Sequence, residues 1–327
     1  IKVMAKLNIA EKRLPQDGRF DVKVGAQDID VRVSTIPTSF GERVVMRLLN
    51  KSSSLFGLSQ LGLSVERVRQ LEELVKNPNG IILVTGPTGS GKTTTLYAVL
   101  NSINKPDINI ITVEDPIEYQ IDGISQIQVN PKIDLTFARG LRSIVRQDPD
   151  VILIGEIRDL ETAEIAVQSA LTGHLVFSTL HTNDSASAIT RLVDLGVEPF
   201  LISSAVIAVM AQRLIRVLCS ECKEPYRPDD IALQQIGIMP EQLNGRMIYR
   251  AKGCDACFQT GYRGRRGIFE IMTLDDELKT LVLQTHDSNL IRKTAVSKQM
   301  TSLRQDGIQT LLGGTTTIEE IFRVTRL

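Results

Sequence analysis

Residues 86–93 carry the clearest chemical signature in this sequence. They read GPTGSGKT, between an apolar run at 81–85 and a helix-forming run at 94–101. Glycines at these spacings let backbone N–H groups approach phosphate oxygens, and the following helix N-terminus adds partial positive charge. The pattern predicts a phosphate-binding loop for ATP, in which Lys92 neutralises phosphates and Thr93 binds Mg2+. The residues predicted to bind the nucleotide are Gly86, Pro87, Thr88, Gly89, Ser90, Gly91, Lys92, Thr93 and Thr94. An ordinary glycine-rich turn between a strand and a helix is the alternative.

An apolar run at 151–154 leads to Gly155 and Glu156. A carboxylate that follows a parallel strand lies at the edge of the sheet where ligands bind. We therefore predict that Glu156 is the catalytic base. Many phosphate-loop proteins carry a magnesium-binding Asp just before this Glu, so Gly155 implies that another carboxylate binds Mg2+.

A second strand-like run, at 109–113, is followed by Glu114, Asp115 and Glu118. Glu118 is the first choice for the magnesium ligand and is counted among the catalytic residues. Glu114 is assigned to the cofactor site. The alternative is that these acids only cap a turn around Pro116.

His174 and His181 flank a predicted strand at 175–179. Histidine serves catalysis at neutral pH because its ordinary pKa lies close to 7. Both are therefore candidate catalytic residues. A structural histidine with satisfied hydrogen bonds is the equally weighted alternative.

All four cysteines fall into two Cys-x2-Cys pairs, Cys219 with Cys222 and Cys254 with Cys257. Two such pairs can close the tetrahedral thiolate site that structural Zn2+ prefers. Disulfides and unligated thiols are the alternatives. Disulfides are disfavoured in a protein that uses cytosolic ATP.

The first part of the chain predicts a small β-rich domain. Apolar and polar residues alternate at 19–24 and 28–34 around a turn at 25–27, and a third strand is predicted at 43–48. Small polar residues at 50–54 are typical of a linker. We therefore place the small domain and linker at 1–56.

The remainder, 57–327, has the pattern of a larger α/β domain. Its apolar strands, each followed by a helix-length segment, predict a parallel sheet covered on both faces. The cysteine module is placed at 216–267. An apolar run at 200–212 is predicted to be a buried helix, since it is too short to cross a membrane. The tail from 274 onward is predicted to be helical, with a capping box from Thr316 to Glu319.

Composition argues against nucleic-acid binding as the main function. The chain has 38 basic and 38 acidic residues, so it lacks the positive field that attracts a polyanion. Aromatic residues make up 4% and tryptophan is missing, which leaves few stacking platforms for bases. The sequence starts at Ile1, and we expect the natural start to lie upstream.

With these motifs in this order, the sequence resembles the secretion ATPase superfamily that drives type II secretion and type IV pilus assembly. Within it, the general secretory pathway protein E family of type II secretion ATPases is the best match. The resemblance covers essentially the whole chain and rests on the phosphate loop, the acidic segment at 112–119, Glu156, the histidine segment at 173–181 and the cysteine pairs. It implies a RecA-like P-loop ATPase domain, a smaller PAS-like α+β domain, and ATP, Mg2+ and structural Zn2+ as cofactors.

The resemblance also gives arginines a role. Arg32 and Arg47 match small-domain arginines that reach the nucleotide phosphates, and Arg142, Arg146 and Arg265 are assigned to the same set. Guanidinium groups suit this task because they stay charged and bind phosphate oxygens bidentately. Arginines that only keep strand edges soluble are the alternative.

A homo-hexameric motor of a bacterial type II secretion system is the function that the resemblance implies. It would be cytoplasmic, peripheral at the inner membrane, and would power pseudopilus assembly and protein export across the outer membrane. Inner-membrane platform proteins are the expected partners, recruited through a first N-terminal domain that has no counterpart here. No nucleic-acid partner is expected.

Three other functions remain open on the residues alone. A type IV pilus assembly ATPase shares nearly every motif, whereas four cysteines are not expected of a pilus retraction ATPase. A RecA-like nucleic-acid translocase is favoured only by the basic run at 261–267. A non-enzymatic scaffold would use the metal module to bind a partner and leave the phosphate loop unexplained.

Overall fold

The computed structural model describes residues 1–25, 27–50, 56–239, 243 and 245–326. The chain divides into two compact units. The smaller one comprises Ile1–Leu55 together with Glu118–Gln120, and the larger one comprises Phe56–Ile117 and Ile121–Leu327. Of the linker predicted at 50–54, residues 51–54 lie outside the described residues.

The smaller unit is an antiparallel sheet in the order β1-β2-β3. Its strands are β1 (Gln16–Val24), β2 (Gln27–Thr38) and β3 (Gly41–Asn50). Burial alternates along β1, as the period-2 sequence pattern requires. The predicted hairpin and third strand are confirmed, although residue 26 of the predicted turn lies outside the described residues. Helices of the predicted α+β domain are not found among the residues described in this unit.

The larger unit is built on a sheet of seven described strands in the order β12-β9-β4-β8-β7-β5-β6. All neighbours are parallel except β9 and β12, which are antiparallel. The strands are β4 (Gly80–Thr85), β5 (Ile110–Glu114), β6 (Ser125–Gln128), β7 (Val151–Ile154), β8 (Leu175–Leu180), β9 (Val206–Leu218) and β12 (Tyr262–Thr273). β4, β5, β7 and β8 are buried at every residue, which explains their uninterrupted apolar sequences. The predicted parallel-rich α/β sheet is confirmed.

Helices pack against this sheet through their apolar faces. Most of them begin at a Ser, Thr or Asp whose side chain accepts a backbone N–H of the first turn. They are α1 (Val65–Leu74), α2 (Lys92–Ile103), α3 (Phe137–Ile144), α4 (Leu160–Leu171), α5 (Ser185–Asp194), α6 (Pro199–Ala205), α8 (Asp276–Gln284), α9 (Ser288–Ser297), α10 (Leu303–Leu312) and α11 (Ile318–Thr325).

Two predicted elements are corrected by the structure. The run at 200–212 is helical only to Ala205, because from Val206 the chain pairs with β4 on one side and β12 on the other. α11 is capped by Thr317, whose side chain accepts the N–H of Glu320, rather than by Thr316. The Thr316 hydroxyl instead donates to the carbonyl of Arg216.

The cysteine module folds between β9 and β12. It contains α7 (Asp230–Ile236) and an antiparallel pair of short strands, β10 (Glu224–Tyr226) and β11 (Ile248–Arg250). Its buried side chains Leu233, Ile236 and Ile248 belong to the same apolar cluster as residues of α10 and α11. The module is therefore packed on the C-terminal helices and does not rely on its own small core.

In the part of the chain that the structure describes, we find no helix with the length and apolar character needed to cross a membrane.

Candidate functional site

The phosphate loop joins the carboxyl end of β4 to the first residue of α2. Gly86 and Gly91 have φ angles of 149° and 91°, which side-chain-bearing residues rarely adopt. A Cβ at Gly86 would lie 2.5 Å from the carbonyl oxygen of Gln212, and one at Gly91 would lie 2.9 Å from Gln212 Nε2. The loop therefore requires glycine at both positions because β9 passes directly behind it.

The donors of this loop suit a bound phosphate. The Lys92 Nζ atom donates to the carbonyls of Gly86 at 2.7 Å and Pro87 at 3.3 Å. The buried Ser90 hydroxyl has no hydrogen-bond partner among the described residues, and α2 begins without a side-chain cap. The pKa of Lys92 is lowered by burial, and the nearby charge of Glu156 offsets only part of this effect. A phosphate would provide acceptors for all of these donors.

Glu156 follows β7 and contacts two basic side chains. One carboxylate oxygen accepts a short hydrogen bond from Arg158, and the other lies 3.2 Å from His181 Nε2. Burial alone would raise the pKa of Glu156, but the Arg158 and His181 interactions lower it below its ordinary value. The carboxylate is thus ionised at neutral pH, which is the form that can accept a proton.

The structure explains why glycine precedes Glu156. A Cβ at Gly155 would lie 3.3 Å from Glu114 Cα and 3.2 Å from the Phe137 ring. The Gly155 N–H donates to the Val113 carbonyl at 2.8 Å, and its own carbonyl accepts from Thr179. A side chain here would require the Phe137 ring or the end of β5 to shift by a few tenths of an ångström.

The two acids predicted near the nucleotide have different surroundings. Glu114 is buried and accepts hydrogen bonds from the hydroxyls of Tyr97 and Thr112 and from Gln126 Nε2. Glu118 groups with the smaller unit, where its carboxylate lies 3.0 Å from an Arg32 Nη atom. Neither geometry tests magnesium binding, so both assignments stay predictions.

The structure brings His181, but not His174, to Glu156. His174 precedes β8, at the opposite edge of the sheet from the phosphate loop, and its Nδ1 lies 2.8 Å from the carbonyl of Ser169. Arg142 and Arg146 also precede β7 rather than follow it. Arg142 is exposed and paired with Glu161, and Arg146 donates to the Arg142 carbonyl. Catalysis by these residues remains a prediction.

The other predicted arginines lie on strands. Arg32 and Arg47 face each other across β2 and β3, and Arg32 also contacts Asp30 at 3.7 Å. Arg265 is exposed on β12, opposite Arg216 of β9. Their predicted phosphate contacts are likewise untested.

The four cysteines meet at one point. Their sulfur atoms all lie within 4.8 Å of one another, and three of the pairs are separated by 3.7–3.9 Å. A tetrahedral ion with metal–sulfur distances of about 2.3 Å would place its ligands about 3.8 Å apart. Burial raises the pKa of Cys222 to about 11. Backbone N–H groups of Cys254 and Gly261 outweigh burial at Cys257 and lower its pKa to about 6. The geometry fits a thiolate-bound metal ion.

Sequence reasoning missed two basic residues of the site. Arg158 contacts Glu156 and lies 4.0 Å from Asp115. Arg213, on β9, lies beside the phosphate loop, with Nη1 at 3.2 Å from the position of a Gly86 Cβ. Arg158 could have been found by its spacing of two from Glu156. No local signal identifies Arg213, because its place depends on the pairing of β9 with β4.

A phosphate loop at the carboxyl edge of a parallel sheet, with a carboxylate after another strand at the same edge, defines a P-loop nucleotide-binding protein. The family model "Type II/IV secretion system protein" matches residues 1–323. The chain belongs to this family.

Individual relatives agree with the family. The chain is 56% identical over 327 residues to a type II secretion system protein E of Pseudomonas aeruginosa, covering 100% of this chain and 64% of that protein. It is 50% identical to the type IV pilus assembly ATPase PilB of Thermus thermophilus, over 98% of this chain and 36% of that protein. A structure of the pilus retraction motor PilT with bound ADP has a TM-score of 0.69 and 27% identity, covering 95% of this chain and 78% of that chain. This chain thus spans under two thirds of the length of these curated relatives.

Proposed function

We propose that this chain is the ATP-hydrolysing part of a type II secretion motor. The observation that carries the proposal is the placement of Glu156 and the phosphate loop at the same edge of the sheet, after β7 and β4. Burial lowers the pKa of Lys92, and the nearby charge of Glu156 offsets part of this effect. The similarity to type II secretion system protein E supports the biological role.

In this proposal the chain's own residues divide the work of hydrolysis. The Gly86–Thr93 backbone and Lys92 bind the phosphates of ATP, and Thr93 and Glu118 are the ligands that would hold Mg2+. Mg2+, when bound, would neutralise phosphate charge. Glu156 accepts a proton from the attacking water, and His181 and Arg158 orient its carboxylate.

Assembly and location are also proposals. A homo-hexameric ring would act at the cytoplasmic face of the inner membrane, on platform proteins, with Arg32 and Arg47 contributing to phosphate binding. The four-cysteine site would hold Zn2+ in a structural role. Ligation by all four thiolates would leave no open position for catalysis.

ATP turnover by the purified chain tests the enzymatic part. Glu156→Gln keeps the side-chain shape but removes the base, so turnover should fall at least about 100-fold while ATP binding persists. Glu164→Gln, an exposed change on α4, is the matched control and should retain turnover. Full activity in Glu156→Gln would remove Glu156 as the base.

A type IV pilus assembly ATPase is the second candidate, favoured by the 50% identity to PilB. Deletion of the gene in its own organism separates the two. A secretion motor predicts that exported proteins disappear from the medium while surface pili remain, and a pilus motor predicts the reverse.

A further inference from the structure

Arg213 lies beside the phosphate loop and binds a second loop of the site. It lies on β9, two residues beyond the position where Ala211 pairs with Thr85, the last residue of β4. Its Nη1 atom donates to the Gln212 carbonyl at 3.1 Å and lies beside Gly86. The guanidinium group is therefore next to the point where the phosphate loop begins.

The other side of the same guanidinium group binds the loop at 181–184, between β8 and α5. Nη2 donates to the Asn183 backbone carbonyl at 2.7 Å and lies 3.2 Å from its side-chain Oδ1. The same loop is also held by Thr85, whose hydroxyl accepts the Thr182 N–H at 2.9 Å. The segment is thus held at two neighbouring residues by groups around the phosphate loop.

The loop at 181–184 begins with the histidine that contacts the candidate base. His181 Nε2 lies 3.2 Å from Glu156 Oε2. A displacement of Asn183 and Thr182 would move His181, because only one residue separates Asn183 from His181. The position of Glu156 therefore depends on how firmly this loop is held.

We propose that Arg213 is a positioning residue for ATP hydrolysis, which holds the loop at 181–184 against the phosphate loop and so keeps His181 on Glu156. This inference rests on the proposed function, since it assumes that Glu156 acts in hydrolysis. In this role Arg213 acts through the loop and not on the reacting atoms.

The contacts require the fork of a guanidinium group rather than a positive charge alone. Nη1 donates to the carbonyl of Gln212, the preceding residue on the same strand, while Nη2 donates to two oxygens of Asn183 in the loop. The Gln212 contact fixes the plane of the guanidinium group, and a lysine ammonium at the end of a flexible chain cannot make both sets of contacts in one fixed plane. Arg213→Lys should therefore keep the charge beside Lys92 and lose the connection.

The test compares Arg213→Lys with Arg216→Lys. Arg216 lies on the same strand, and its side chain pairs with Glu320 rather than with the loop. We expect kcat for ATP to fall about tenfold in Arg213→Lys, with KM changed less than about threefold, because positioning acts mainly on the chemical step. Arg216→Lys should retain the kcat of the unchanged chain. Guanidinium ion added to Arg213→Ala should restore part of its lost kcat.

Hydrogen exchange of the nucleotide-free chain gives a readout that does not depend on turnover. Residues 181–184 should exchange faster in Arg213→Lys than in Arg216→Lys. Equal exchange in the two variants, or an unchanged kcat in Arg213→Lys, would overturn the inference. If the unchanged chain hydrolyses no ATP, the proposed function fails, and the exchange result still decides whether Arg213 holds the loop.

Discussion

At the scale of single residues, the candidate base is controlled by its neighbours. Arg158 and His181 each contact one oxygen of the Glu156 carboxylate. Both interactions lower its pKa, so they secure the ionised form and reduce its basicity at the same time. Their value to a hydrolase is therefore orientation of the carboxylate rather than increased proton affinity.

Replacement of His181 tests this orienting role. His181→Ala removes the contact with Glu156 Oε2, and we expect kcat for ATP to fall about tenfold, equivalent to about 1.4 kcal/mol in the activation barrier. Steady-state ATP hydrolysis measures the change. His286→Ala is the control, since His286 is an exposed residue between α8 and α9. Equal activity in both variants would contradict the role of His181.

The sequence predicted those site residues that belong to continuous motifs. The phosphate loop, Glu156 and the four cysteines are each defined by neighbours within a few residues, and the structure places the cysteines together. Partners such as Tyr97 on Glu114 and Arg213 on Asn183 are contacts between segments. No periodicity or spacing rule encodes which segments will be neighbours, so most of these contacts could not be predicted.

At the scale of elements, buried carboxylates join helices to the sheet. Glu270 of β12 accepts the N–H groups of Ser185 and Leu303, which are the first residues of α5 and α10. Glu320 of α11 accepts hydrogen bonds from the backbone and side chain of Arg216 on β9 and from Arg323. Each carboxylate therefore helps to fix the position of a helix relative to the sheet. Helix propensity alone does not determine that position.

Glu320→Gln should destabilise the fold in a pH-dependent manner. Burial alone would raise the pKa of Glu320, but hydrogen bonds from Arg323 and Arg216 lower it to about 2, against an ordinary value of 4.5. This difference corresponds to about 3 kcal/mol of unfolding free energy at pH 7. A group with a lowered pKa contributes above its unfolded-state pKa, and the contribution is lost as the pH falls from about 4.5 to about 2.

Urea unfolding at two pH values measures the effect. The stability difference between the unchanged chain and Glu320→Gln should be about 3 kcal/mol at pH 7 and about 1 kcal/mol smaller at pH 4. Glu319→Gln changes an exposed neighbour on the same helix and should have little effect at either pH. A difference that stays constant with pH would show that the Glu320 charge does not stabilise the fold.

The cysteine module should lose both its metal and its order in Cys257→Ser. We expect bound zinc to fall from about one ion per chain to nearly none, since three thiolates no longer close the site. Metal content by mass spectrometry and hydrogen exchange at 223–239 measure the two effects. Ser220→Ala, within the first cysteine pair, is the control and should keep the metal. Full zinc content in Cys257→Ser would contradict a four-cysteine site.

Elements were predicted well where the apolar sequence pattern matches the burial of a single element. They were predicted less well where one buried apolar run contains the end of a helix and the start of a strand. The strands with uninterrupted apolar sequences were all found because both of their faces are covered. The run at 200–212 is similarly apolar in its helical half and in its extended half. Only the pairing of β9 with β4 and β12 decides where the helix ends, and this is not a local property.

At the scale of the whole molecule, three predicted arginines, Arg142, Arg146 and Arg265, make no contact with the candidate base in the part of the chain that the structure describes. Arg142 pairs with Glu161, Arg146 donates to the Arg142 carbonyl, and Arg265 is exposed on β12. We predict that one or more of these arginines acts at the site of a neighbouring protomer. A ring provides such head-to-tail contacts between identical chains.

Hydrolysis should therefore depend on assembly. We expect ATP turnover per protomer to rise with protein concentration, in parallel with the oligomer fraction measured by sedimentation.

A mixture of two weakly active variants identifies the arginine that acts across the interface. One variant, Lys92→Ala, lacks a working phosphate loop, and the other lacks Arg142, Arg146 or Arg265. In an equal mixture, half of the sites keep Lys92 and half of these face an intact arginine, so turnover should recover to about a quarter of the unchanged level. Turnover that is independent of concentration, with no recovery in any mixture, would mean that each protomer hydrolyses ATP with its own residues alone.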